Sequence, residues 1–249
     1  MSATVGIGVS TTETPRRSTS PDRWFFSGFA IAAAVAIFWG FSPSYFLRPI
    51  YGPPPGASPL SPLIHVHGLL FTSWIVLLAA QTTLIASSRT HIHRRLGVIG
   101  GVLAVAMVIV GYMAGIDAAR RGSAIPGMTP LGFLIIPIAG IVVFAVLIAC
   151  AFALRRRPDY HKRLVVLATT DLLTAGVARI PAIGARGAGT FFAATDIFVL
   201  ALVVYDLVTR RRIHPATLWG GAFLVASQPL QLWLANTGAW TTVAGWLTR

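Results

Sequence analysis

Two histidines, His93 and His161, open apolar runs in matching contexts, His93-Arg94-Arg95-Leu96 and His161-Lys162-Arg163-Leu164. An arginine stands four residues before each, at Arg89 and Arg157, and a looser third copy sets Arg210 four residues before His214. Neutral imidazole ligates haem iron and transition metals. If the helices that begin at His93 and His161 are neighbours, the two rings meet at one membrane depth. They could then hold haem b or a transition metal from both sides, with Arg94, Arg95 or Arg163 on the propionates. The plainer alternative is a histidine beside arginine at a helix start, in contact with lipid headgroups. His91 and His214 carry less weight, and His91 joins His93 on a metal only if that segment is extended. A second pair, His65 and His67, is the other metal candidate. On a helix these two diverge by about 200°, so one alone, the deeper His67, faces inward. A metal there needs carboxylate help from Asp117 or Asp196.

Asp171 is the sharpest anomaly. It lies ten residues beyond His161, which is about 15 Å along a helix. A carboxylate at such depth is costly and marks a proton relay, an ion site or a ligand contact. The alternative is a protonated Asp171 that ties helices together through Gln81, Thr169 or Thr170. Arg179 and Asp196 are expected to form an ion pair, since either alone is expensive in lipid. The predicted polar pocket thus comprises Gln81, Asp171, Arg179, Asp196 and Gln228. Asp206 and Arg210 read as a structural i,i+4 pair. No catalytic residue is assigned: G-x-S-x-G, a Ser-His-Asp constellation, a P-loop and a dinucleotide fingerprint are all missing.

The elements that must position these residues are membrane spans. The chain has 249 residues, of which 55% are hydrophobic and 11% charged, and its mean hydropathy is +0.73. A soluble domain carries about 25% charged residues, so lipid must be the solvent for much of this surface. The +13 net charge sits in short bridges between apolar runs, where it meets headgroups and not nucleic acid. Cys150 is the single cysteine; it excludes an internal disulfide and reads as inert packing.

The fold class is an all-α polytopic transmembrane bundle of about seven spans, with helix-hairpin repeats. Residues 1–23 read as a disordered cytoplasmic tail, with Ser20 or Asp22 placed to cap the first helix. Residues 24–249 form the membrane domain, with spans at 24–47, 63–87, 96–116, 130–154, 162–182, 190–208 and 215–236. Residues 48–62 are a Pro- and Gly-rich loop, Pro137 and Pro229 kink their spans, and the stretch Ala239 to Trp246 lies at the interface. Gly97-x-x-x-Gly101 and Gly111-x-x-x-Gly115 share a face. That face places span 96–116 at the bundle centre, or at an interface with a membrane partner or a second copy. Fourteen of the 20 Lys and Arg fall on the side of the tail and the three Arg-His bridges. The positive-inside rule then puts the N-terminus in the cytoplasm of an inner-membrane protein.

The bridges at His93 and His161 resemble the H-[RK]-R-L helix starts of uncharacterised bacterial multi-pass membrane families, over residues 65–100 and 155–170. That resemblance implies a multi-pass helical fold. A more distant similarity, to cytochrome b561-type haem proteins, implies bis-His haem b and transmembrane electron transfer. Here, in contrast to that pattern, the histidines lie at helix ends and the outer leaflet has no matching pair. Three functions are expected in order: a haem- or metal-binding redox protein, an ion- or proton-coupled transporter with Asp171 as coupling group and the Arg179–Asp196 pair as gate, and a non-catalytic membrane assembly partner.

Overall fold

A computed structural model of the protein describes residues 20–54 and 59–249. Of the tail expected over residues 1–23, positions 1–19 lie outside the described residues, as do residues 55–58 of the proline-rich loop. Among the described residues, seven helices of 19 residues or more follow one another. They are α1 (Ser20–Phe41), α2 (Pro62–Ala86), α3 (Thr90–Arg120), α4 (Ile135–Ala153), α5 (Pro158–Val177), α6 (Ala188–Arg210) and α7 (Pro215–Leu234). A shorter helix, α8 (Gly238–Leu247), packs on the turn Pro130–Phe133 ahead of α4. No strand occurs among the described residues.

Five stretches are long and apolar enough to cross a membrane: Pro21–Tyr51, Pro62–Ala86, Thr90–Arg120, Pro130–Ala153 and Ala188–Arg210. The other two long helices are more polar. Asp159, Lys162, Arg163 and Asp171 charge α5, and Gln228, Gln231 and Pro229 dilute the hydropathy of α7.

Local chemistry sets the boundaries. Ser61 caps α2, its Oγ accepting from the Ile64 amide at 3.4 Å, with Pro62 in the first turn. The basic stretch before Leu96 is not a bridge. It is already the first turns of α3, because nothing from Thr90 to Arg95 breaks a helix and Ser87–Arg89 suffice for the turn. Ser88 makes that turn with φ 61°. Being helical, His91 and His93 point different ways, and His91 is exposed. The chain breaks at Leu134, between the turn Pro130–Phe133 and α4. Pro137 explains it, since its ring has no N–H for the carbonyl four residues back. Pro229 leaves α7 unbroken.

The bundle is organised around α5, which packs against α1, α4, α6 and α7. Arg163, Thr169 and Thr170 are fully buried on it. A polar helix is tolerated here because protein surrounds it. The expectation that residues 96–116 form the centre is corrected: α3 packs on α2 and α4 and exposes Val98, Val102, Val105 and Ile109 on its other side. The tightest helix approach comes instead at Gly40 on α1, where a Cβ would collide with the carbonyl of Gly176 on α5. Asp22 lies in the first turn of α1 and reaches across to α5 and α6. Cys150 is exposed on the bundle surface and not packed inside.

Candidate functional site

The three Arg-His corners meet at one end of the bundle. The rings of His93 on α3 and His161 on α5 have centroids 6.4 Å apart and planes at 84°. Next to them, Tyr160 meets the ring of His214 edge-on at 4.6 Å. Each corner lies at a helix start, and helices that run antiparallel through the bundle bring these starts together. The His161 Nδ1 lies 2.8 Å from the Ala151 carbonyl of α4. A carbonyl only accepts, so Nδ1–H donates, which leaves Nε2 as the ring nitrogen that does not make this contact. Gln81 Nε2 donates to the His93 carbonyl at 3.2 Å. Both His93 Nδ1 and Gln81 Oε1 are buried without a hydrogen-bond partner. One turn beyond His93, a Cβ on Gly97 would meet only Gln81 Nε2, at 3.9 Å. Two imidazole rings and the Gln81 amide thus stand together at this spot. Among the described residues no group of three or more His, Cys, Asp or Glu is placed to hold a metal ion.

Beside this spot lies a buried ion network that sequence spacing did not indicate. Arg163 and Asp206 are both fully buried. The Arg163 Nε donates to Asp206 Oδ1 at 2.9 Å, and Nη2 reaches the same oxygen. Asp206 Oδ2 accepts from the His214 amide at 3.0 Å and from Thr217 Oγ1 at 2.5 Å. This corrects the expected Asp206–Arg210 pair: Arg210 turns to Asp159 at 3.6 Å. It also withdraws Arg163 from any propionate role. Lys162 bridges Asp22 at 2.9 Å and Asp159 at 3.1 Å, and Tyr205 donates to Asp22. The available signal was the clustering of Asp22, Asp159 and Asp206, three of seven acidic residues, beside the basic corners. His214 caps α7, its Nδ1 accepting from the Ala216 amide at 3.1 Å. Burial, with Arg163 and Arg210 nearby, holds that imidazole below its ordinary pKa and keeps it neutral.

The other predicted residues are scattered. His65 is exposed against Tyr45, whereas His67 stacks on Phe71 at 4.1 Å with its Nδ1 buried and unpartnered. Asp171 faces Gly140, where a Cβ would come within 3.5 Å of its Oδ2, and it makes no hydrogen bond among the described residues. Its expected partners are engaged elsewhere: Gln81 with His93, Thr169 with the Trp74 indole at 3.1 Å, Thr170 with the Val166 carbonyl. The expected Arg179–Asp196 ion pair is not formed. Arg179 donates to the Ala175 carbonyl at 2.7 Å and sits 4.3 Å over the Phe41 ring. Asp196 accepts from Gln228 at 2.8 Å. Of the five residues expected in one polar pocket, Asp196 and Gln228 meet directly, and among the described residues no hydrogen bond or ion pair joins them to Gln81, Asp171 or Arg179.

No protein-family model matches the chain, and neither a curated protein nor a solved structure matches it. The fold and its apolar surface define the class: an all-helical integral membrane protein.

Proposed function

We propose that the chain is a seven-span inner-membrane protein, N-terminus in the cytoplasm, that holds haem b or a transition metal between His93 and His161 and transfers electrons. In this reading α5 and α7 are the two remaining spans, their polar residues turned toward protein, and α2–α3, α4–α5 and α6–α7 are repeated hairpins. The observation that carries the redox reading is the paired imidazoles. Two imidazoles that shared one ion at the usual nitrogen distance of roughly 2 Å would have centroids roughly 6–7 Å apart. The rings stand 6.4 Å apart. His161 is oriented by a backbone carbonyl in the manner of metal-bound imidazoles, and Gln81 Oε1 is an oxygen free to serve as a ligand. Arg94 and Arg95, exposed at the same helix start, suit propionates.

Expression with excess haem, followed by an absorption spectrum and metal analysis of the purified protein, tests this. A Soret band or a stoichiometric metal that is lost in both His93→Ala and His161→Ala is expected. A wild-type protein with neither overturns the reading. Asp171 favours a second function, proton- or ion-coupled transport, because its carboxylate lies half-buried in the middle of a helix and makes no hydrogen bond among the described residues. Coupled flux that survives Asp171→Asn unchanged removes that reading.

A further inference from the structure

The second and third corners enclose a cleft of about 580 Å³, lined by Arg157, Asp159, Tyr160, Arg210, Arg212 and His214 among others. We infer that this cleft binds a phosphate-bearing ligand, as a lipid headgroup or as a free phosphate. It is independent of the histidine pair. Arg157 and Arg212 are exposed and line it, and among the described residues the Arg157 guanidinium meets only the Tyr160 ring, at 5.9 Å. The Arg210 Nε is buried without a hydrogen-bond partner. Asp159, the carboxylate of the cleft, is matched by Arg210 at 3.6 Å and Lys162 at 3.1 Å, so Arg157 and Arg212 are the cations that leave a net positive field. The starts of α5 and α7 (Pro158 and Pro215) also line it, adding the positive ends of two helix dipoles. Guanidinium forks match phosphate oxygens in geometry as well as charge. The cleft lies at the end of the helices, at headgroup depth in a spanning orientation.

The test is native mass spectrometry of the full chain in mild detergent, with phosphatidic acid, phosphatidylcholine and inorganic phosphate as separate probes. One phosphatidic acid per chain is expected, bound more tightly than phosphatidylcholine. Each arginine near an anionic headgroup strengthens binding about fivefold, so Arg157→Gln/Arg212→Gln weakens it roughly thirtyfold. The control pair Arg89→Gln/Arg155→Gln, at the same end but outside the cleft, retains it. Competition by millimolar inorganic phosphate identifies a free phosphate ligand, and binding without competition identifies a headgroup. Phosphatidic acid held no better than phosphatidylcholine while phosphate also fails to bind overturns the inference. So does a cleft variant that binds as well as the parent, or a control pair that loses as much as the cleft pair.

Discussion

Arg163 and Asp206 show how a charge pair becomes obligatory once protein closes over it. With neither exposed to solvent, removing one partner strands the other in a medium of low dielectric, at about 3–5 kcal/mol. Arg163→Ala or Asp206→Ala is therefore expected to lower the thermal unfolding midpoint in detergent sharply, and Arg163→Met/Asp206→Leu to recover most of it. His214 sets a pH dependence. Its folded pKa is lowered, first by burial, and the opposing pulls of Asp206 and Asp159 do not reverse this. The native state thus favours the neutral ring; its contribution to stability is present above the ordinary histidine value and is lost as pH falls through and below it. Unfolding midpoints at pH 7.5 and 5.5 should show a drop in the parent and a smaller one in His214→Asn, which caps without titrating. The pairing of Arg163 with Asp206 was not legible beforehand. Arg210 stands four residues from Asp206 and is the local partner, while Arg163 is 43 residues away and reaches it only after α5 and α6 pack. The common depth of His93 and His161 was legible, because two matching corners imply two helix starts at one level; that the rings lie 6.4 Å apart was not, because spacing does not say which helices are neighbours.

At the scale of elements, α5 explains the arrangement of its neighbours. Its charges require a sheath of protein, and α1, α4, α6 and α7 supply one. Glycine spacing pointed to residues 96–116 as the centre, yet spacing within one helix says nothing about which helix lies opposite. The closest contact uses single glycines on two helices, Gly40 and Gly176, and no short pattern reveals such a pair. Gly40→Ala is expected to destabilise by about 1–3 kcal/mol through overpacking at the α1–α5 crossing. Gly28→Ala, on the same helix with nothing within 4 Å of a Cβ, should be neutral or stabilise by up to about 1 kcal/mol. Thermal unfolding of the two variants side by side checks this contrast. An interruption of the span at Pro137 was foreseen, since a missing N–H has a local effect; that it would fall at Leu134 was not. The length of α3 was not, because basic residues that look like a bridge are also good helix formers.

At the scale of the molecule, one end carries the paired histidines, the ion network and the arginine cleft, while the other is tied down differently. There Arg120 donates to the Thr248 carbonyl at 3.2 Å and the Trp240 indole to the Leu131 carbonyl at 2.8 Å, fastening α8 to α3 and to the turn before α4. Composition alone made a lipid environment evident, and the spacing of apolar runs yielded every long helix. What composition could not supply was the division of those helices into lipid-facing and protein-facing ones. The histidine-pair and arginine-cleft readings both depend on the three corners sharing one face of the membrane. In a Cys150→Ser background, single cysteines at Arg89, Arg156 and Arg211, with others at Arg121 and Arg186, can be labelled with a membrane-impermeant maleimide in spheroplasts and in inverted vesicles. The account predicts that the first three label only in inverted vesicles and the last two only in spheroplasts. Corners that label from opposite sides would contradict it.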